Sequence, residues 1–221
     1  MKVLVVGASR GIGLEFATQF AQAGAAVTAT ARNGDALQRL RKLGAVALTF
    51  DVLHEQAAST LSTQLQGQAF DLVIVNAGVF GPRTAGLDAP SQADFDAVMH
   101  TNVLGAMRVL SVLPPLLAPQ ARVAVISSDM GRISGRSGHQ GWLYRASKAA
   151  LNSVLKDVSQ VMQGQAVCVA LHPGWVRTDM GGEGGALDVA DSVGQMRQTL
   201  AGLEAADNGG FFNHDGQALA W

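Results

Sequence analysis

The stretch Met1-Lys2-Val3-Leu4-Val5-Val6-Gly7-Ala8-Ser9-Arg10-Gly11-Ile12-Gly13-Leu14 changes character at Gly7. Before it, four consecutive apolar residues, Val3–Val6, read as a short strand buried on both faces, because a half-exposed strand would alternate. After it, apolar residues from Leu14 to Ala23 recur at helical spacing. The same alternation runs on along the chain. Strands are expected over Ala26–Ala31, Ala45–Phe50, Leu72–Val75, Val123–Ile126 and Ala166–Leu171, with a short last one at Gly210–Phe212. Helical periods fill Asp35–Leu43, Gln56–Leu65, Ser91–Leu113, Leu143–Met162 and Asp188–Leu203. Buried strands alternating with helices predict an α/β fold: a doubly wound parallel sheet of about seven strands, helices on both faces. No linker, repeat or low-complexity tract divides the 221 residues, so a single domain over 1–221 is expected.

Composition narrows the function classes. The chain is 48% hydrophobic and 15% charged, and its net charge is −1. That balance fits a large core and offers no cationic excess for nucleic acid or an anionic membrane. No apolar run approaches the ~18 residues of a membrane span, and Val3–Val6 is too short for a secretory signal. The one cysteine, Cys168, lies in an apolar run where a small core residue is favoured over a reactive thiol. A cytoplasmic location is expected. The histidines at 54, 100, 139, 172 and 214 show no ligand spacing, so no metal is expected.

In such sheets, ligands bind beyond the carboxyl ends of the strands, so the residues following each strand carry the functional reading. Gly7-x-x-x-Gly11-Ile12-Gly13, with Ser9 and Arg10 inside it, lets the backbone turn sharply and approach a pyrophosphate at a helix N-terminus. The second strand ends at Arg32, where an acid would suit the ribose hydroxyls of NAD. A guanidinium suits a 2′-phosphate instead, and Arg10 is expected to add a second cation to it. The alternative for Arg32 is a solvated charge at a strand end. Asp51-Val52 follows the third strand and is placed for an adenine. Asn76-Ala77-Gly78 follows the fourth as a small-residue turn.

Tyr144, the only tyrosine, precedes Lys148 by one helical turn, so the two share a face. An ammonium near the phenol is expected to lower its pKa from the ordinary ~10 and to make it a proton donor and acceptor near working pH. The strand before that helix ends in Ser127-Ser128, whose hydroxyl could hold the same substrate oxygen.

In this order the residues resemble the short-chain dehydrogenase/reductase family, and more narrowly its C-factor and sniffer-like carbonyl reductases. The telling stretches are Ile126-Ser-Ser-Asp-Met-Gly131, Tyr144-Arg-Ala-Ser-Lys-Ala-Ala-Leu-Asn152, His172-Pro-Gly-Trp-Val-Arg-Thr-Asp-Met180 and Phe211-Phe-Asn-His-Asp-Gly216. The resemblance implies a Rossmann-like sheet, NADP(H) as cofactor and a small carbonyl or alcohol substrate. It makes Tyr144 the acid in reduction, Ser128 the holder of the carbonyl oxygen, and Lys148 the ligand of the nicotinamide ribose. It gives Asn102 a distorted helix and a water behind Lys148. Pro173, Gly174, Val176 and Thr178 would cradle the nicotinamide. It also implies a homodimer or homotetramer paired through the Ser91–Leu113 and Leu143–Met162 helices. Two stretches depart from the family's usual form: the Gly/Ser/Arg-rich loop from Ser128 to Tyr144, and Gly181–Gly185, which leaves little room for a substrate lid. An open, shallow pocket is expected. The competing reading is a dinucleotide-binding sensor without essential turnover.

Overall fold

Strand β1 (Lys2–Val6) runs through the middle of the sheet because its side chains are apolar on both faces. A computed structural model describes residues 1–84 and 86–221. The other strands are β2 (Ala26–Ala31), β3 (Val46–Thr49), β4 (Phe70–Val75), β5 (Leu117–Ile126), β6 (Ala166–His172) and β7 (Phe211–Asn213). Their order is β3-β2-β1-β4-β5-β6-β7, and every pairing is parallel. The expected doubly wound sheet is therefore present.

Alternation within β1 sorts the core. Val3 and Val5 pack with Phe16 and Phe20 of α1 (Gly11–Gln22), Leu37 and Leu40 of α2 (Gly34–Lys42), and the C-terminal helix described below. Leu4 and Val6 face Leu61 of α3 (Ala57–Gln64) on the other side, together with Cys168, which is fully buried. Burial pushes the Cys168 thiol up to about 12, so it is a core residue, as expected.

Two expected elements differ. The single helix expected over Ser91–Leu113 is three pieces: α4 (Gln92–Met99), a π-helical turn over His100–Leu104, and α5 (Gly105–Leu110). Helical periodicity does not register one wide turn, since the apolar face continues across it. Strand β5 begins at Leu117, well before Val123, and is out of register with β4 between Phe70 and Leu72. Exposed Pro119 and Gln120, the latter at φ 60°, hide its start from an apolar pattern. The remaining helices, α6 (Trp142–Val161) and α7 (Val189–Gly202), lie within a residue of expectation. Val193, Met196 and Leu200 of α7 join the Phe16 side of the core; Leu151 and Leu155 of α6 join the other. Strand order reverses between β1 and β4, and at that crevice the carboxyl ends of the strands leave room for a ligand.

Candidate active site

The turn from β1 into α1 is built on missing side chains. Gly7 has φ 88°, and a Cβ there would lie 2.7 Å from the Ala77 backbone nitrogen. A Cβ on Gly13 would run into the Gly7 carbonyl and come within 2.5 Å of Asn76 Nδ2. Asn76 Nδ2 donates to that carbonyl at 2.7 Å, which ties the Asn76-Ala77-Gly78 turn to the first loop. Helix α1 has no capping side chain and no acid in its first turn. Its amides and dipole are thus open to an anion.

The expected cofactor residues fall along this crevice, with one change. Arg32 and Asp51 share the wall of an open cavity of about 390 Å³. Asp51 Oδ1 accepts from the Leu53 amide at 3.0 Å, and Val52 is buried against Gly105. Arg10 was expected to share a phosphate with Arg32, but its guanidinium is paired with Asp179 at 2.6 Å, both side chains exposed. The glycine turn itself carries no acid, and the long Arg10 side chain reaches across to Asp179. A third arginine was not foreseen: Arg39 Nη2 of α2 donates to the Ser9 carbonyl at 3.0 Å. Its signal, a basic run at the end of a helix, reads equally well as dipole compensation.

The catalytic candidates meet at the carboxyl ends of β4 and β5. Asn102 lies in the π turn, fully buried, and its amide is completely engaged. Oδ1 accepts from Val79 N at 2.8 Å, and Nδ2 donates to Val79 O at 2.8 Å and to Ser147 Oγ at 2.9 Å. Ser147 in turn donates to the Tyr144 carbonyl at 2.8 Å. The chain from the β4 loop to α6 is therefore continuous, and Ser147, one turn from Tyr144, is a member that sequence reading missed. Lys148 Nζ donates to Ile126 O at 2.8 Å and lies 5.7 Å from the centre of the Tyr144 ring. A Cβ on Gly78 would sit 3.3 Å from Asn102 Oδ1 and 3.5 Å from that ammonium, so the turn passes close to both. Ser128 Oγ accepts from Met130 N at 3.1 Å, which leaves its own hydrogen free to donate. Its neighbour Ser127 donates to Asn152 Oδ1 at 2.5 Å, again onto α6.

The expected depression of the Tyr144 pKa is not found. Burial pushes the phenol up to about 12, and the Ser128 hydroxyl opposes this only in part. Burial likewise lowers Lys148 to about 8. Desolvation outweighs the ammonium because Lys148 spends its nearest hydrogen bond on Ile126 O and stands over the ring face. The ring is also covered by Phe80, stacked at 4.5 Å, which the sequence did not single out. Around the nicotinamide segment, Ser192 Oγ holds the Pro173 carbonyl at 2.6 Å. Gly174 has φ 81° against Leu187 and His214. Val176 is buried and bridges to Leu187, and Thr178 Oγ1 accepts from Gly181 N at 3.1 Å. Thr178 also faces Gly11 across the crevice. Among the described residues no cluster of His, Cys, Asp or Glu could hold a metal, and no helix is long and apolar enough to cross a membrane.

Residues 1–186 match the family model for short chain dehydrogenase. C-signal of Myxococcus xanthus is 39% identical over 154 residues, which cover 68% of this chain and 92% of that protein. The carbonyl reductase Sniffer of D. melanogaster has a TM-score of 0.91 at 32% identity, over 100% of this chain and 99% of that one. A carbonyl reductase from Pseudomonas aeruginosa PAO1, solved in complex with NADP, has a TM-score of 0.87 at 32% identity over the same shares. The resemblance to the C-factor and sniffer-like group read from the sequence is borne out.

Proposed function

The chain belongs to the short chain dehydrogenase family, and from that premise we propose that it is an NADP(H)-dependent oxidoreductase interconverting a carbonyl and an alcohol. The observation that carries the reading is the buried set of Ser128, Tyr144 and Lys148, with α6 tied to the end of β5 through Lys148 and Ile126 and to the π turn through Ser147 and Asn102. The crevice fits the cofactor: Gly7 and Gly13 let the turn close tightly against Ala77 and Asn76, where a Cβ would collide, and the uncapped α1 N-terminus suits a pyrophosphate. Arg32 suits the 2′-phosphate, with Arg10 as its second partner once released from Asp179. NADPH, when bound, supplies the hydride.

The residues of the chain then handle the oxygen and the proton. Ser128 donates its free hydrogen to the substrate carbonyl oxygen. Tyr144, protonated at working pH, gives its proton to that oxygen as negative charge develops there. Lys148 keeps donors for the ribose hydroxyls beyond the one given to Ile126 O. Asn102 acts on this center by position: both its amide hydrogens are used, so it locks the π turn and the β4 loop to α6. We extend the proposal to a homodimer or homotetramer through α4–α5 and α6, where Phe95, Met107 and Val161 stand exposed. The likeness to C-signal favours a dinucleotide sensor as the second reading. A sensor needs no proton donor, and the complete buried donor set weighs against it.

NADPH consumption across a panel of aldehydes and ketones tests the proposal. Tyr144→Phe should lower turnover of any accepted carbonyl at least ~10²-fold while NADPH affinity changes little. Full activity in Tyr144→Phe overturns the mechanism. NADPH binding without reduction of any carbonyl favours the sensor.

A further inference from the structure

Three segments ring the mouth above Tyr144: 80–84 after β4, 128–141 after β5, and 175–180 after β6. They are joined to one another. Gly141 N donates to Thr84 O at 3.3 Å, and Arg83 Nη2 donates to Met180 O at 2.6 Å. Close to the phenol the ring is apolar. Phe80 stacks on Tyr144, and the side chains of Phe80 and Met130 converge where a Cβ on Gly141 would lie 3.1 Å and 3.4 Å from them.

Farther out the mouth is basic. The only acids on the three segments, Asp129 and Asp179, are paired with Arg132 and Arg10. Arg177 is paired with Asp188. The ion pairs among the described residues leave Arg83, Arg136 and Arg145 without a carboxylate. The guanidinium of Arg83 lies 4.7 Å from the Phe80 centroid, and Phe80 lies 4.5 Å from Tyr144, so two stacking distances separate this charge from the proton donor. Arg145 directly follows Tyr144, and its Nε is held by Gln140 O at 3.0 Å. Arg136 Nε is held by Arg132 O at 3.3 Å, so each guanidinium keeps donors to spare. Partial burial first, and the nearby charge of Arg136 second, hold the Arg145 pKa below its ordinary value, with Asp129 opposing. Arg145 lies against Gly138 and Gln140, in the same stretch that carries Arg136, so this loop presents two guanidiniums in a chain whose net charge is −1. Unpaired cations gathered at a pocket mouth, with an apolar collar inside them, focus an anion toward that mouth.

We propose that the substrate is an anionic carbonyl compound. Its carbonyl sits at Ser128 and Tyr144, its apolar body lies against Phe80 and Met130, and its carboxylate is read by Arg83, with Arg136 and Arg145 adding to the field. The inference rests on the carbonyl-reductase reading above and names the substrate class of the same site.

The test compares 4-carboxybenzaldehyde with methyl 4-formylbenzoate, which keeps the ring and aldehyde but carries no charge. The ester is intrinsically the more electrophilic aldehyde, so a preference for the acid cannot come from reactivity. Wild-type kcat/KM with NADPH should favour the carboxylate about tenfold or more, as one charge-assisted contact provides. Arg83→Gln should bring the ratio close to one, Arg83→Lys should retain part of it, and added salt should reduce it. Equal or lower kcat/KM for the carboxylate in the wild type overturns the inference, as does an unchanged ratio in Arg83→Gln. Titration of the NADPH-loaded protein with 4-(hydroxymethyl)benzoate and its methyl ester, a dead-end pairing in which no hydride can move, gives a reading independent of turnover. Selective binding of the acid with neither aldehyde reduced supports the anion site and sinks the reductase reading. Reduction of both aldehydes with no selectivity in binding or turnover sinks the anion site alone.

Discussion

His172, the last residue of β6, offers a stability measurement whose outcome is set by one buried nitrogen. Its Nδ1 is buried with no hydrogen-bond partner among the described residues. Burial pushes its pKa down from 6.5 to about 4; Asp129 opposes this, and His214 and Arg132 add to it. The unfolded chain takes up this proton as pH falls through 6.5, whereas the folded chain resists until about pH 4. Stability contributed by neutral His172 is therefore complete above pH 6.5 and falls away between 6.5 and 4. The displacement corresponds to about 3 kcal/mol over that window. Replacing the ring by a group that does not titrate, His172→Asn, should remove this part of the acid limb. Carboxylates common to both proteins cancel in the difference. Urea unfolding at several pH values from 7 to 4 reads it directly. The wild type should lose about 3 kcal/mol more than the variant, whatever their relative stabilities at pH 7. Parallel stability curves across that range would refute the reasoning.

Gly13→Ala should lower NADPH affinity about tenfold or more with far-ultraviolet circular dichroism unchanged. The added methyl meets the Gly7 carbonyl and Asn76, and overpacking of this kind costs about 1–3 kcal/mol; unchanged affinity by fluorescence titration would remove the glycine turn from the cofactor site. Wild-type stability should rise from pH 8 to 9, because folded Lys148 gives up its proton near 8 while the unfolded chain holds it to 10.5. Above pH 9 Cys168, pushed up to about 12, opposes the rise, and Lys148→Met should lack the rise altogether in the same unfolding assay.

The sheet was legible chiefly from β1 and β6, where burial on both faces leaves no other use for Val3–Val6 or Ala166–Leu171. What escaped were places where geometry is set by partners and not by pattern. The π turn at His100–Leu104 keeps its apolar face, so periodicity passes straight through it. The early start of β5 rests on the pairing of Leu117 with Phe70 of β4, across a register break that takes in exposed Pro119 and Gln120. Within the candidate site, Tyr144, Lys148 and Ser128 stood out by spacing and by their place after strands. The sign of the Tyr144 shift did not, because it depends on how deeply Phe80 and α6 bury the ring, a quantity that no spacing contains. Ser147 and Asn152 were unremarked for a similar reason: a serine or asparagine within a helix reads as ordinary until its partner, Asn102 or Ser127, is seen beside it.

The buried face of α6 has a consequence for anyone who would engineer this protein. Of the residues it turns inward, Leu143, Leu151 and Leu155 are aliphatic, whereas Tyr144, Ser147, Lys148, Asn152 and Ser159 all carry polar atoms. A protocol that seeks heat tolerance by filling interiors with hydrocarbon would begin here, since each of these positions invites leucine. Replacing Asn152, Ser147 or Lys148 would strand a mate: the Ser127 hydroxyl, the Asn102 amide or the Ile126 carbonyl. Orphaned groups of that sort cost about 1–3 kcal/mol apiece, which cancels most of what the new hydrocarbon gains. Ruggedness is better sought on the opposite side of the sheet, where α1, α2 and α7 meet it almost entirely through aliphatic and aromatic side chains.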